Sequence, residues 1–367
     1  MNIFELAGNK RGGAAGVAGL ADEAGVASVD RRSVLKRAAA LGLALPTIGG
    51  IVSTTAVPAT FAQEGDDAHA QDMQNMADHT PPVGKVQPFQ VYDPWLPAVK
   101  AGPKDVTLVT QDATRYVAKD VAYAAWTFEG TIPGRALRAV EGDTINVTLK
   151  VDPKAVTGHS VDFHSAKTAP DKNYRTIMPG QSLEFSFPAK YPGVFMYHCG
   201  TPPALMHIGA GMYGVMVVDP KEGRSPAQEL VLVQSDFYLK DGGDGVMVAD
   251  YTKMIGNGAM DFCVFNGYAN QYVENPIDVE VKAPIRMFVL NAGPNAWSSF
   301  HVVGTVFDKA YVNGNPRNEL VGLQSIAIGP GDGVVVEFTL DEPGAYPFVN
   351  HAFGHAAHGA VGVLKAQ

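Results

Sequence analysis

Two cysteines in 367 residues are too few for a disulfide framework, so packing, hydrogen bonds or a metal must hold this chain together. Basic charge is also short: 28 Lys and Arg stand against 37 Asp and Glu, a formal net charge of -9. Residues 1–62 hold six of the basic and four of the acidic groups, which leaves the remainder at -11. An electrostatic footprint for nucleic acid is therefore excluded, and the acidity serves solubility. Long apolar runs are scarce. The uncharged stretch from Ala38 to Ala62 is rich in Ala, Gly and Thr and is broken by Pro46, which makes it a poor permanent membrane span. No His-x-His pair occurs anywhere in the chain.

What the chain has is 40 Gly and 25 Pro with little helical periodicity, a pattern that favours all-β modules. The run Asp30-Arg31-Arg32-Ser33-Val34-Leu35-Lys36 precedes the apolar stretch, which ends in small residues at Val57-Pro58-Ala59 and Thr60-Phe61-Ala62. Twin arginines, an apolar core and such an end read residues 1–62 as a Tat-type export signal, placing the mature protein in the periplasm or elsewhere outside the cytoplasm. No cysteine lies near the cleavage region, which excludes lipid anchoring there. Residues 63–90 are polar, include His69, Met73, Met76 and His79, and read as a flexible linker. Ordered sequence is expected to begin near Val106-Thr107-Leu108-Val109, an alternating strand-like run.

From there the chain reads twice. Phe128-Glu129-Gly130 returns as Phe265-Asn266-Gly267, and Phe163-His164 returns as Phe300-His301, both at an offset of 137. Tyr191-Pro192-Gly193-Val194-Phe195 leading to His198 resembles Glu342-Pro343-Gly344-Ala345-Tyr346 leading to His351, and Gly211-Met212-Tyr213-Gly214 resembles Gly359-Ala360-Val361-Gly362. Short strands such as Thr144–Leu149 and Gly333–Phe338, punctuated by Pro-Gly, predict two tandem Greek-key β-sandwiches, residues 91–222 and 223–367. Aligned this way, Ala352 stands in copy two where copy one has Cys199, Ala360 stands for Met212, and His355 and His358 have no counterparts. Copy two has thus lost a soft-metal centre. Cys263, inside Phe262-Cys263-Val264-Phe265, reads as a buried small hydrophobe.

The first copy carries Cys199-x7-His207-x4-Met212 on one loop, with His159 far upstream. Two imidazoles, a thiolate and a weak axial thioether are the ligands of a type 1 (blue) copper site, and one end of a sandwich can converge them. Neighbouring residues of a strand point to opposite faces. If Cys199 faces that copper, His198 faces elsewhere, and parity sorts His159 with Cys199 and Asp162, His164 and His198 together on the other side. Abutting repeats would add His301 and His351, giving a histidine site suited to a harder copper with an open position for substrate. Asp162, within His159-Ser160-Val161-Asp162-Phe163-His164, is placed to carry a proton.

These residues resemble the copper-containing nitrite reductases over roughly positions 105–367. The resemblance rests on the His159–His164 segment, Tyr197-His198-Cys199, the short loop to His207 and Gly211-Met212, Ser298-Ser299-Phe300-His301, and Val349-Asn350-His351. It implies type 1 copper on His159, Cys199, His207 and Met212. It also implies type 2 copper on His164 and His198 of one subunit and His351 of the next, in a homotrimer. Asp162 and His301 match the family's catalytic aspartate and histidine, and Val303 its pocket-capping aliphatic residue. The implied reaction reduces nitrite to nitric oxide with one electron, which enters from a small cupredoxin or cytochrome c and passes through Cys199–His198. Two other readings remain. A laccase-like multicopper oxidase needs eight cluster histidines, usually as His-x-His pairs, but only eight follow the linker and His159 and His207 are already used. A non-enzymatic electron-transfer copper protein needs one centre, which leaves His301 and His351 without a task.

Overall fold

The computed structural model describes residues 80–367 apart from Asn257. The expected export signal and residues 63–79 of the expected linker lie outside them. The described chain forms two β-sandwiches, in agreement with the repeat. In the first, a six-stranded sheet runs in the order Leu239–Asp241, Val246–Ala249, Val121–Phe128, Lys104–Ala118, Thr144–Val151, Ser182–Pro188. It faces a four-stranded sheet ordered Leu137–Val140, Tyr213–Asp219, Gly193–His198, Asp162–Phe163. In the second, six strands run Phe262–Phe265, Gln228–Phe237, Ile285–Gly293, Gly333–Phe338, Phe307–Val312, Glu319–Leu323, facing five ordered Ile277–Val279, Val361–Ala366, Gly344–Asn350, Ser298–Val302, Ile326–Ile328.

The period-two alternation of the strands decides how these sheets stack. Every residue of Tyr213–Asp219 is buried, and Val215–Val218 is an unbroken apolar run, which alternation alone would not produce. Met216 and Val218 enter the first sandwich's core, whereas Tyr213, Val215 and Val217 enter a separate cluster with Val231, Val233, Phe288, Leu290 and Val335 of the second. Ile285–Gly293 repeats the device, sending Ile285, Met287 and Val289 one way and Phe288 and Leu290 the other. A sheet covered on both faces reads as a hydrophobic run. The four-stranded sheet therefore lies between two cores, and its strands Gly193–His198 and Tyr213–Asp219 each have one face toward the second sandwich. In Gly193–His198, Val194 and Met196 take that face while Tyr197 and Cys199 take the inner one. By parity His198 continues the row of Val194 and Met196.

Order begins earlier than Val106. The Gln87 N–H donates to Thr114 O at 2.9 Å, Tyr92 N–H to Gln271 Oε1 at 3.0 Å, and Leu96 N–H to Glu229 O at 3.1 Å. The strap from Val86 to Leu96 thus ties to strands of both sandwiches. It carries no periodic pattern because its partners are backbone groups and amides of other elements. The hairpin Leu239–Asp241/Val246–Ala249 also crosses over, for Val246 and Met247 pair in parallel with Ala122 and Tyr123 of the first sandwich.

Candidate metal centres

Two clusters of metal-ligating side chains occur among the described residues: His159 with Cys199 and His207, all buried, and Asp162 with His164 and His198. Strand parity separates them in the sequence, His159 and Cys199 on one side and Asp162, His164 and His198 on the other, and His207 joins the first.

The first cluster sits inside the first sandwich. His159 Nδ1 lies 3.2 Å from His207 Nδ1, and Cys199 Sγ lies 3.4 Å from His207 Nδ1 and 3.9 Å from His159 Nδ1. Three ligands each about 2.0–2.3 Å from a common centre at trigonal angles subtend a triangle of this size. The loop that closes it is tied at both ends. Cys199 N–H donates to Met212 O at 3.0 Å, and Met212 N–H to His207 O at 3.1 Å. His207 rides on the short helix Ala204–Gly209, and Met212 is fully buried in the same core. Trp126 stacks on the His207 ring at 4.5 Å and meets His159 edge-on at 5.6 Å, closing the site from the interior.

The electrostatics suit a soft cation. Burial pushes the Cys199 thiol up, but the hydrogen bond and charge of His159, the Ser160 N–H and Thr201 reverse this, and the net shift is below the ordinary thiol value. Ser160 N–H points at Sγ from 3.4 Å. Burial lowers the His207 pKa to about 3, so its ring is neutral and offers a lone pair. A neutral His207 imidazole beside a favoured thiolate fits type 1 copper.

The second cluster lies on the opposite side of the same strands. Asp162 is directly opposite His198 in the short pairing of Asp162–Phe163 with Gly193–His198. His198 Nε2 lies 3.1 Å from His164 Nε2, and Asp162 Oδ2 lies 3.9 Å from His198 Nε2. His198 Nδ1–H donates to Cys199 O at 2.9 Å, which leaves its Nε2 with a lone pair. His164 hydrogen-bonds the Gly331 backbone, and burial followed by the neighbouring His198 lowers its pKa. Two Nε2 atoms at this separation are close enough to bind a common cation. Gly331 comes from the second sandwich with φ of +84°, and a Cβ there would stand 3.3 Å from His164 Cε1. Glycine at this position lets the backbone turn left-handed and close against the ring.

His301 and His351 lie together on the second sandwich, ring centroids 5.5 Å apart. His301 Nδ1–H donates to Gln324 O. His351 is exposed, and its ring also meets that of exposed Phe353 at 4.7 Å. Neither histidine joins the Asp162–His164–His198 cluster within the chain. Val303, 42% exposed, follows the strand that carries His301, and its N–H donates to Pro347 O at 2.7 Å. Cys263 is buried, as its apolar neighbours imply.

The alignment of the repeats needs one correction. Ala360 N–H donates to His355 O at 3.1 Å, as Met212 N–H does to His207 O. Asn350 N–H donates to Ala360 O at 3.1 Å, as Cys199 N–H does to Met212 O. Strand register agrees, for Tyr197 pairs with Gly214 and Phe348 with Gly362. His355 therefore occupies the place of His207, Asn350 that of Cys199 and Val349 that of His198. Ala352 is not the counterpart of Cys199. The sequence misleads because the second loop is shorter, five residues from Asn350 to His355 against eight from Cys199 to His207. Matching histidine to histidine then shifts the pairing by two. Sequence reasoning also missed Trp126, Gly331 and Gln324. Only Gly331 left a trace, in the Pro330-Gly331 turn.

A two-sandwich chain with a buried His–Cys–His set at one end of its first sandwich is a cupredoxin of the multicopper oxidase class. A family model described as multicopper oxidase matches residues 109–223. A copper-containing nitrite reductase of Neisseria meningitidis is 40% identical over 269 residues, covering 71% of this chain and 69% of that protein. Among solved structures, a copper nitrite reductase from Nitrosomonas europaea superposes with a TM-score of 0.67 at 35% identity, covering 72% of this chain and 93% of that one. A Cu-containing nitrite reductase from Thermus scotoductus gives 0.66 at 34%, covering 73% and 62%. The chain belongs to the copper-containing nitrite reductases, a family of copper-binding oxidoreductases.

Proposed function

We propose that this protein reduces nitrite to nitric oxide, taking up one electron and two protons and releasing water, with one type 1 and one type 2 copper per chain. The adjacency of Cys199 and His198 carries the reading, because one peptide link joins a buried thiolate set to an open imidazole pair. His159, Cys199, His207 and Met212 hold type 1 copper. His164 and His198 hold type 2 copper, completed by His351 of a neighbouring copy, since two imidazoles and a carboxylate leave that site short of a third nitrogen. A closed homotrimer satisfies every such site at once. When bound, copper supplies one-electron redox chemistry at the inner set and a Lewis-acidic anchor for nitrite at the outer one.

The chain's own groups do the rest. Cys199 and His198 provide the covalent path between the sets. Asp162, facing the pocket beside His198, gives a proton to the nitrite oxygen that leaves as water, and His301, oriented by its bond to the Gln324 carbonyl, supplies the second. Val303 caps the pocket from an exposed position. The domains are residues 91–222 and 223–367, preceded by a Tat-type signal (1–62) and a linker (63–90) whose last residues, from Val86, are tied down as the start of the strap. The signal directs the protein to the periplasm, where a cupredoxin or cytochrome c donates electrons for denitrification. The oxidase reading is disfavoured by the missing His-x-His pairs, and the pure electron-transfer reading by the paired Nε2 atoms of His164 and His198.

Copper analysis of the purified, metal-loaded protein together with a nitric oxide electrode tests this. The expectation is two coppers per chain and nitrite-dependent nitric oxide. Four coppers with dioxygen consumption, or one copper and no turnover, would refute it.

A further inference from the structure

The place that holds the buried ligand set in the first sandwich holds something else in the second. Asn350 stands where Cys199 does and His355 where His207 does, and the pair remains in contact, Asn350 Nδ2 to His355 Nδ1 at 2.9 Å. By the offset of 137, Ala296 replaces His159, while Ala360 replaces Met212, so no soft-metal set is left. In its stead is a buried amide network. Asn350 is fully buried, and its Oδ1 accepts from Ser299 N–H at 3.0 Å and from Ala352 N–H at 3.1 Å. Those two bonds fix which end of the amide is oxygen. Nδ2 then has two hydrogens for Gln234 Oε1 at 3.1 Å, Trp297 O at 2.9 Å and His355 Nδ1. Gln234, also fully buried, donates onward to Asn291 Oδ1 at 3.2 Å.

His351 sits in the middle of this. Its own N–H donates to Ser299 O at 2.7 Å, and the next N–H, of Ala352, donates to Asn350 Oδ1. The side chain is exposed, so packing does not aim it. Hydrogen bonds hold its backbone, and they run through Ser299 and Asn350. At the far end, Asn291 O accepts from Gly331 N–H at 2.7 Å and Asn291 N–H donates to Asp332 O at 2.9 Å, the turn that closes on His164.

We infer that Asn350, fixed by Gln234 and His355, is a positioning residue that aims His351 into the type 2 copper site, the vacated metal place of the second sandwich having become its support. This rests on the reading of His351 as a ligand. Supports of this kind typically contribute 10–100-fold, about that much in metal affinity.

The test is type 2 copper affinity by competitive chelation, read by the type 2 electron paramagnetic resonance signal, in the metal-loaded full-length protein. Type 1 absorption and the oligomeric state serve as fold controls. His355→Leu removes the acceptor for Asn350 Nδ2, whereas His355→Gln can present an oxygen to it. The expectation is that His355→Leu and Asn350→Ala weaken type 2 copper roughly 10–100-fold, with type 1 absorption unchanged, and that His355→Gln restores most of the affinity. Unchanged type 2 affinity in both weakening variants overturns the inference. So does equal loss of the type 1 and type 2 signals, which marks a general destabilisation, or failure of His355→Gln to recover. His351→Ala separates the two levels: if it keeps type 2 copper, the ligand reading fails first. If it loses type 2 copper while His355→Leu does not, only the positioning inference fails.

Discussion

Cys199→Ser is expected to abolish type 1 copper and its visible absorption and to cut donor-driven nitric oxide formation by more than about 100-fold, beyond the loss typical of a supporting residue. The serine hydroxyl has nearly the same shape but is a hard, protonated oxygen. It cannot replace the thiolate that the His159 and Ser160 contacts hold below the ordinary thiol value. The buried triangle would then hold two imidazoles with no thiolate to complete it. Type 2 copper should survive, because His198 faces the opposite side of the strand and keeps its Nδ1–H on the Cys199 carbonyl, which serine also provides. Absorption spectroscopy and copper counting check this together. Retention of the absorption would remove Cys199 from the centre.

Asp162→Asn tests the chemistry. Loss of a positioned proton donor typically costs 10²–10⁴-fold, and a fall of about that size in kcat is expected with both coppers still bound. The geometry supports the separation. Asp162 Oδ2 is 3.9 Å from His198 Nε2, farther than the 3.1 Å between the two imidazole nitrogens, and the residue is only half-buried. Asparagine keeps the shape and offers no transferable proton. Steady-state nitric oxide formation and copper content, measured on one preparation, distinguish the outcomes. An unchanged kcat would end the proton-delivery assignment, and parallel loss of type 2 copper would make Asp162 a ligand.

Much of this was legible in the sequence because the chemistry is local there. Cys199, His207 and Met212 share one loop, so their spacing alone predicts convergence, and strand parity alone places His198 and Asp162 opposite Cys199. The sandwiches followed from alternation and the 137-residue offset. Three things were not legible, each for a physical reason. The strap from Val86 to Leu96 is held by backbone bonds to distant strands, which leave no pattern in its own residues. The hairpin at Leu239–Ala249 belongs by sequence to the second repeat but pairs with Val121–Phe128 of the first, a choice that only tertiary contacts make. Asn350 was passed over because a buried amide has no signature beside a neighbouring histidine. That drew the alignment onto His351 and hid the match of His355 to His207.

The claim on which the rest depends is that His351 completes a copper site on another copy of the chain. His198→Ala and His351→Ala chains, each expected to lack type 2 copper and turnover, can be dissociated, mixed in equal amounts and reassembled. If the site is shared around a closed ring of three, random mixing restores about a quarter of the type 2 sites and of the nitric oxide formation, because each mixed trimer then has one intact junction. If all ligands come from a single chain, mixing restores neither, and the absence of any recovery in verified mixed trimers would contradict the shared site.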